Sequence, residues 1–236
     1  MEYVLNLVKK DNPIIIEIGA ADGEDSKQFL KNYKNITLHC FEPDPRAYIT
    51  HKNNINDNRC KLYDYAISNN DGVANFHLSN KKNVNHEKLY RNDRKEMFRK
   101  ATNTYKEIFD IDNNTKCGFG WFYSSSLSDI NYKEASHSYT DYKVKTMKLD
   151  TFCLKNNIKS IDFLWTDVQG AEKELISGAK NILKNTRYIL LEFGEVNEYI
   201  NSMTEEQTIN LMKNYSFEHI VKWENNLIFK NNKLEK

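Results

Sequence analysis

Two short stretches concentrate the polar chemistry of this chain. They are Glu17-Ile18-Gly19-Ala20-Ala21-Asp22-Gly23 near the start and Asp167-Val168-Gln169-Gly170-Ala171-Glu172 in the second half. The first follows the apolar run Ile14–Ile18, and its glycines are spaced G-x-x-x-G. A pyrophosphate site needs G-x-G-x-x-G, so that bare backbone N–H groups and a helix N-terminus face the phosphates. Here Glu17, Asp22, Glu24 and Asp25 crowd the same corner. Four carboxylates repel a pyrophosphate but suit a ligand with an ammonium and a sulfonium, such as S-adenosylmethionine. A tight turn before an ordinary acidic first helical turn is the plainer alternative. Glu42 ends the next apolar run and has the chemistry to accept two hydrogen bonds from a ribose diol. Nicotinamide enzymes share that last feature.

These residues need strand ends to hold them. Ile14–Ile18 has the β-branched character of a buried parallel strand, and Glu24 to Tyr33 a helix with Phe29, Leu30 and Tyr33 on one side. Thr37 to Phe41 is a second strand, stopped by Glu42-Pro43-Asp44-Pro45. A helix carrying His51 follows. A third strand is expected over Lys61 to Ile67, and Val73 to Leu78 after the Asn70-Asp71-Gly72 turn. From Lys81 to Phe109 the apolar residues Tyr90, Met97, Phe98, Ala101, Tyr105 and Ile108 recur at helical spacing in a charged segment. Beyond the loop Gly118 to Ser126 come a strand at Phe163–Thr166, a helix from Ala171 to Leu183, a strand from Tyr188 to Phe193 and a helix from Glu205 to Tyr215. His219–Val221 and Leu227–Phe229 close as a hairpin. Alternating strands and helices predict an α/β doubly wound sheet, with residues 1–236 as one domain and 81–120 as a helical and loop insertion.

Six motifs resemble the FkbM family of methyltransferases: the first loop, Phe41-Glu42-Pro43, Ala66-Ile67-Ser68, Ser124-Ser125-Ser126-Leu127, the D-V-Q-G-A-E run at Asp167–Glu172, and Asn226-Leu227-Ile228-Phe229. They stand in the family's order from about Ile14 to Phe229. The resemblance implies a Rossmann-like sheet of seven strands with the last reversed. It also implies S-adenosylmethionine-dependent O-methylation, often of glycans, lipids or natural products. Carried onto this chain, Glu17, Gly19, Asp22 and Gly23 surround the methionine part of the cofactor. Glu42 holds the ribose, Ala66 borders the adenine, and Asp167 lies beside the transferable methyl. Gln169 departs from the family, where glutamate is frequent, and the 81–109 segment looks particular to this chain.

A sugar hydroxyl is very weakly acidic and needs a base or a metal to become nucleophilic. Asp167 and Glu192, at neighbouring strand ends, are hard oxygen ligands able to hold Mg²⁺ or Mn²⁺. Otherwise His77, His86 or His137, which flank the insertion and the serine loop, is the expected base, with His86 and His137 foremost. His39 and His219 read as structural, and His51 has no local partner. Ser125 and Ser126 are candidates for holding acceptor hydroxyls, and Arg91 and Arg94 for holding a phosphate. Between Lys81 and Lys106 nine basic residues face three acidic ones, a surplus of six in a chain of net charge +1. The insertion is therefore expected to act as a lid over an anionic acceptor, such as a nucleotide-linked sugar or phosphorylated glycan precursor.

With 34 basic and 33 acidic residues there is no global field to draw in nucleic acid, and no such partner is expected. Cys40, Cys60, Cys117 and Cys153 form no C-x-x-C pair, so zinc is not expected and the thiols read as isolated. No run approaches the roughly 18 apolar residues of a membrane span, and a cytoplasmic setting is the expectation. The readings that compete with a methyltransferase are a nicotinamide-dependent oxidoreductase and a non-catalytic Rossmann-type binding module.

Overall fold

The computed structural model describes residues 2–81, 92–109, 122–133, 137–194 and 199–234. The chain runs α1 (Glu2–Leu5), β1 (Ile14–Ile18), α2 (Glu24–Asn32), β2 (Thr37–Phe41), α3 (Pro45–Asn54), β3 (Cys60–Tyr63), β4 (Ala66–Ile67), β5 (Gly72–Lys81) and α4 (Asn92–Ile108). It continues with β6 (His137–Met147), α5 (Leu149–Lys155), β7 (Ile161–Thr166), α6 (Glu172–Ser177), β8 (Thr186–Glu192), α7 (Glu205–Lys213), β9 (Phe217–Trp223) and β10 (Asn226–Asn231).

Seven strands form one sheet in the order β3-β2-β1-β7-β8-β10-β9. The β1–β2, β2–β3, β1–β7 and β7–β8 pairs are parallel, and β10 runs antiparallel to both of its neighbours. β1 is apolar on both faces apart from Glu17 because both faces of the sheet are covered. Ile16 and Ile18 pack on one side with Leu164, Leu175 and Leu191, while Ile15 packs on the other with Phe29, Phe163 and Trp165. The expected hairpin is β9–β10, with a register shift between Ile228 and Phe229. Among the described residues no helix is long and apolar enough to cross a membrane.

Several elements depart from expectation. The strand read at Lys61–Ile67 is divided: β3 stays in the main sheet, whereas β4 joins a second sheet of order β4-β6-β5. β6 and α5 were not legible. β6 alternates Lys143, Lys145 outward with Val144, Thr146 inward, but its charge content hides that rhythm. The helix read at Ala171–Leu183 stops at Ser177 and resumes as a 3-10 turn at Ile182–Asn185, although Ala171, Leu175, Ala179 and Ile182 are all buried as the periodicity required. Of the 81–120 insertion, α4 is helical, and Ala101 packs with Ala47 and Phe122. His86, Arg91 and residues 110–120 lie outside the described residues.

Candidate active site

The sheet order reverses between β2-β1 on one side and β7-β8 on the other, and ligands of open α/β sheets bind in the crevice at such a point, outside the carboxyl ends of the strands. Four strands deliver a residue to that edge: Gly19 after β1, Glu42 after β2, Asp167 after β7 and Glu192 at the end of β8. A cleft lies there whose empty space, open solvent at its mouth included, is about 580 Å³. Gly19, Glu42, Ala66, Asp167 and Ser125 line it, together with apolar walls from Ile67, Phe76, Phe122 and Leu127.

The glycine at position 19 is required twice. Its φ of +83° lies in the left-handed region, and a Cβ there would fall 1.8 Å from the Asp167 carbonyl oxygen. That close approach is maintained by the Asp167 N–H, which donates to the Ile18 carbonyl at 2.9 Å. Glu42 is buried and holds the same loop: one carboxylate oxygen accepts from the Ala21 N–H and the other from the Asp44 N–H, both at 2.8 Å. Burial, with the charge of Asp44 close by, pushes its carboxyl up to about 8.

The floor beyond the cofactor loop is a hydrogen-bonded chain. The Gln169 amide nitrogen donates to Asp167 Oδ1 at 2.5 Å and to Glu192 Oε2 at 2.9 Å. Tyr199 donates its hydroxyl to the Ser124 carbonyl at 2.9 Å and to Gln169 Oε1 at 3.3 Å. Glu192 also hydrogen-bonds Asp167, and burial first, then the charges of Asp167 and Glu172, raise its carboxyl to about 9. Burial raises Asp167 as well, while its bonds from Gln169 and Glu192 work the other way. Asp167 has exposed surface because it faces the open cavity; protein encloses its other sides. Glu192 therefore keeps the shared proton and Asp167 carries the charge. Buried Glu172, whose carboxylate accepts from the Gly170 N–H, is raised to about 7.

Other candidates stand elsewhere. Glu17 lies outside the cavity wall: the alternation of β1 turns it to the α2 face, where it accepts from Ser26 Oγ at 2.5 Å. Asp22 supports the loop, accepting from the Tyr123 hydroxyl at 2.8 Å and the Glu24 N–H at 3.3 Å. Gly23 makes room for His51, as described below. Ser126 is buried and committed, donating to the Gln169 carbonyl at 2.6 Å and accepting from the Ser128 N–H. Ser125 reaches the cavity but donates to Asp44 Oδ2 at 2.8 Å. His137 opens β6 opposite Lys81, five residues or roughly 17 Å along the strand from the Phe76–Tyr142 pair at the cavity. His77 holds Asp141 Oδ1 at 2.7 Å and is not in the wall. His51, expected to have no partner, is buried and bonded to Ser26 Oγ at 2.9 Å. Arg94 belongs to α4, and its side chain is not among those described.

For Mg²⁺ or Mn²⁺ between Asp167 and Glu192, the observed geometry is unfavourable. An amide donor sits between the two carboxyls and satisfies both, where a cation would need them free. The residues that could not be assigned beforehand are Phe76, Phe122, Tyr123 and Tyr199. Each reaches the site through the second sheet or a loop rather than through a strand end.

A family profile described as the methyltransferase FkbM domain matches residues 17–229, a span that includes the cavity and every strand end around it. The protein is an S-adenosylmethionine-dependent methyltransferase with a Rossmann-like sheet. It belongs to the FkbM family. The 2-O-methyltransferase NoeI of Sinorhizobium fredii (strain NBRC 101917 / NGR234) is 29% identical over 240 residues, which cover 98% of this chain and 84% of that protein. Among solved structures, LepI in complex with S-adenosylmethionine aligns with 95% of this chain at 7% identity and a TM-score of 0.41. A structure described as a pericyclic reaction enzyme aligns at 6% identity with the same TM-score. The chain spans 44% of the length of each of those solved chains.

Proposed function

We propose that the protein methylates a hydroxyl oxygen of a sugar-type acceptor, with Asp167 as the base that takes the hydroxyl proton. The observation that carries this is the Gln169-bridged pair of Asp167 and Glu192 at the cavity floor. The similarity to NoeI, named a 2-O-methyltransferase, supports an oxygen acceptor. When bound, S-adenosylmethionine supplies an electrophilic methyl on a sulfonium. The residues present fit it: Glu42 offers carboxylate to the ribose hydroxyls, Ala66, Ile67 and Phe76 offer an apolar wall to the adenine, and the Gly19–Ala21 loop leaves backbone beside the methionine part. The negative charge of Asp167 complements the sulfonium.

Asp167 is set up to act as a base. Its proton affinity is raised by enclosure, and Glu192 stays protonated, so one carboxylate remains free to accept. Gln169 fixes the Asp167 rotamer, and Tyr199 fixes Gln169 in turn. No metal is needed for this step. The basic 81–106 segment belongs to the same reading as a cover for an anionic acceptor, since α4 packs through Ala101 onto Phe122 of the cavity wall.

The test counts labelled methyl transferred to a panel of saccharides, with amine and thiol acceptors alongside. Asp167→Asn is expected to lower kcat by about 10²–10⁴-fold with cofactor affinity little changed. Activity should survive chelator. Transfer mainly to nitrogen or sulfur would overturn the acceptor class, and undiminished turnover in the Asn variant would overturn the base.

A further inference from the structure

On the α2 side of the sheet, directly behind the cofactor loop, five polar side chains from five elements meet. They are Glu17 of β1, Ser26 of α2, Cys40 of β2, His51 of α3 and Cys60 of β3. The first four are buried to 1% exposure or less, and Cys60 is half-buried. The cysteines lie 20 residues apart in the chain, but they sit on paired parallel strands, where Leu38 is opposite Cys60 and Cys40 opposite Leu62. Their sulfurs are 3.5 Å apart. Linear spacing concealed this pairing, and the thiols are not isolated.

We propose that this cluster is a binding site for a borderline-soft divalent cation, Zn²⁺ fitting best. Cys40 Sγ, Cys60 Sγ and His51 Nε2 are its ligands, and the Glu17 carboxylate, which lies outside the spacing of that trio, would shift to become the fourth. The three Cys and His ligand atoms lie within 4.8 Å of one another, and among the described residues this is the grouping that meets such a spacing. A tetrahedron with metal–sulfur bonds of about 2.3 Å has sulfur–sulfur edges of about 3.8 Å, close to the separation seen. Glu17 Oε2 is 3.4 Å from Cys40 Sγ, on the same side of the sheet, but is not within 4.8 Å of all three ligand atoms. Two thiolates, an imidazole and a carboxylate are the donor set that selects Zn²⁺ over Mg²⁺ or Ca²⁺.

Two further features point the same way. Glu17 is a buried carboxyl whose hydrogen-bond partners here are a hydroxyl and a thiol. A cation would stabilise its charged form. In addition, a Cβ at Gly23 would stand 2.9 Å from His51 Cδ2 and 3.1 Å from Nε2, so the second loop glycine leaves room for this ring. Ser26 Oγ now bonds His51 Nε2 and Glu17 Oε2, so the hydroxyl would turn aside as the ion enters. Binding would release one proton from each thiol to solvent, and the half-buried Cys60 opens the route inward. The bound ion would tie β1, β2, β3 and α3 together behind the cofactor loop, apart from the Asp167 floor.

The test takes the full chain, reduced and stripped with chelator, and titrates it with Co²⁺ and then with Zn²⁺ in competition. One equivalent of Co²⁺ should give a thiolate-to-cobalt charge-transfer band and the visible bands of tetrahedral cobalt. Affinity should rise with pH, and Zn²⁺ should protect Cys60 from a thiol reagent and raise the melting temperature. Cys60→Ser, at a half-buried position, should weaken binding on the order of 100-fold or more, and Glu17→Gln should weaken it while keeping the sulfur band. The proposal fails if the parent chain gives no stoichiometric cobalt spectrum, or if Cys60→Ser leaves that spectrum unchanged. It fails equally if Cys40 and Cys60 are found joined as a disulfide and the reduced chain takes up no metal.

Discussion

At Gly19 a single missing methyl sets how closely the ends of β1 and β7 approach. A Cβ would overlap the Asp167 carbonyl oxygen at 1.8 Å, and because both partners are backbone, neither rotates away. Gly19→Ala is expected to cost about 2–4 kcal/mol, combining the left-handed conformation with overpacking. It should also displace Asp167, so chemical denaturation and cofactor titration should both register it. An Ala variant with unchanged stability and affinity would show that the loop relocates freely. Gln169 works differently, by holding two carboxyls with one amide nitrogen. It stands where the family often has glutamate, and a third carboxyl there would have no donor to offer Asp167. The residues with the clearest chemistry, Glu42 and Asp167, were legible in sequence because each directly follows a strand. Glu17 was not placed correctly, since an acid inside an apolar strand can face either side and the sequence does not state which helix covers which face.

At the scale of elements, the connection between α3, the second sheet and the serine loop depends on one buried ion pair. Arg46 and Asp44 are both fully buried; the guanidinium donates to Asp44 Oδ1 at 2.9 Å and to Oδ2 at 2.5 Å. It also reaches the Ser79 carbonyl at 3.1 Å and Asn80 Oδ1 at 3.0 Å, and it lies 5.5 Å from the centre of the Tyr105 ring. Arg46→Ala strands Asp44 as a buried charge, which should destabilise by about 3–5 kcal/mol in denaturant. Replacing both residues with leucine should recover much of that loss, and failure to do so would mean the bonds to Ser79 and Asn80 dominate. Nothing local announced this pair, because Asp44-Pro45-Arg46 reads as a strand stop before a helix. β6 escaped notice for a related reason. Its partners β4 and β5 lie 56 to 80 residues earlier, and a strand that alternates lysine with Val144 and Thr146 lacks the apolar runs that mark the main sheet. The main-sheet strands were legible because burial on both faces favours apolar residues, with Glu17, His39 and Asp162 among the buried exceptions.

For the whole molecule, carboxyls buried near the carboxyl ends of the strands govern stability against pH. Asp25 is raised to about 6, Glu172 to about 7, Glu42 to about 8 and Glu192 to about 9, in each case chiefly by burial. Unfolded values are about 4, so the folded state holds these protons more tightly. Their stabilisation is full below about pH 4 and is lost as pH rises toward 9. The cofactor-free protein should therefore melt on the order of 5 °C lower at pH 9 than at pH 6. Glu192→Gln should flatten the upper part of that slope. A cationic cofactor opposes the gathering negative charge, so its stabilising shift should grow with pH, and melting curves that rise with pH would contradict the whole account.

The charge that remains is the basic surplus between Lys81 and Lys106, opposite in sign to the strand-end carboxyls. α4 brings its described end against the cavity wall, where Ala101 meets Phe122 and Tyr105 donates to or accepts from Thr140 at 2.7 Å. A cationic cofactor and an anionic acceptor side by side would use such a division of charge. Arginine among the lysines adds a planar fork suited to phosphate oxygens. Arg91, Arg94 and Arg99 replaced by glutamine, singly and together, should raise KM for a phosphorylated or nucleotide-linked sugar about tenfold or more, with kcat and cofactor affinity nearly unchanged. In the parent protein that KM should rise with salt, because the attraction is between charges that ions screen over roughly 10 Å. Loss of equal size on neutral and phosphorylated acceptors would assign the segment to packing, and no loss on either would return it to a solvated helix.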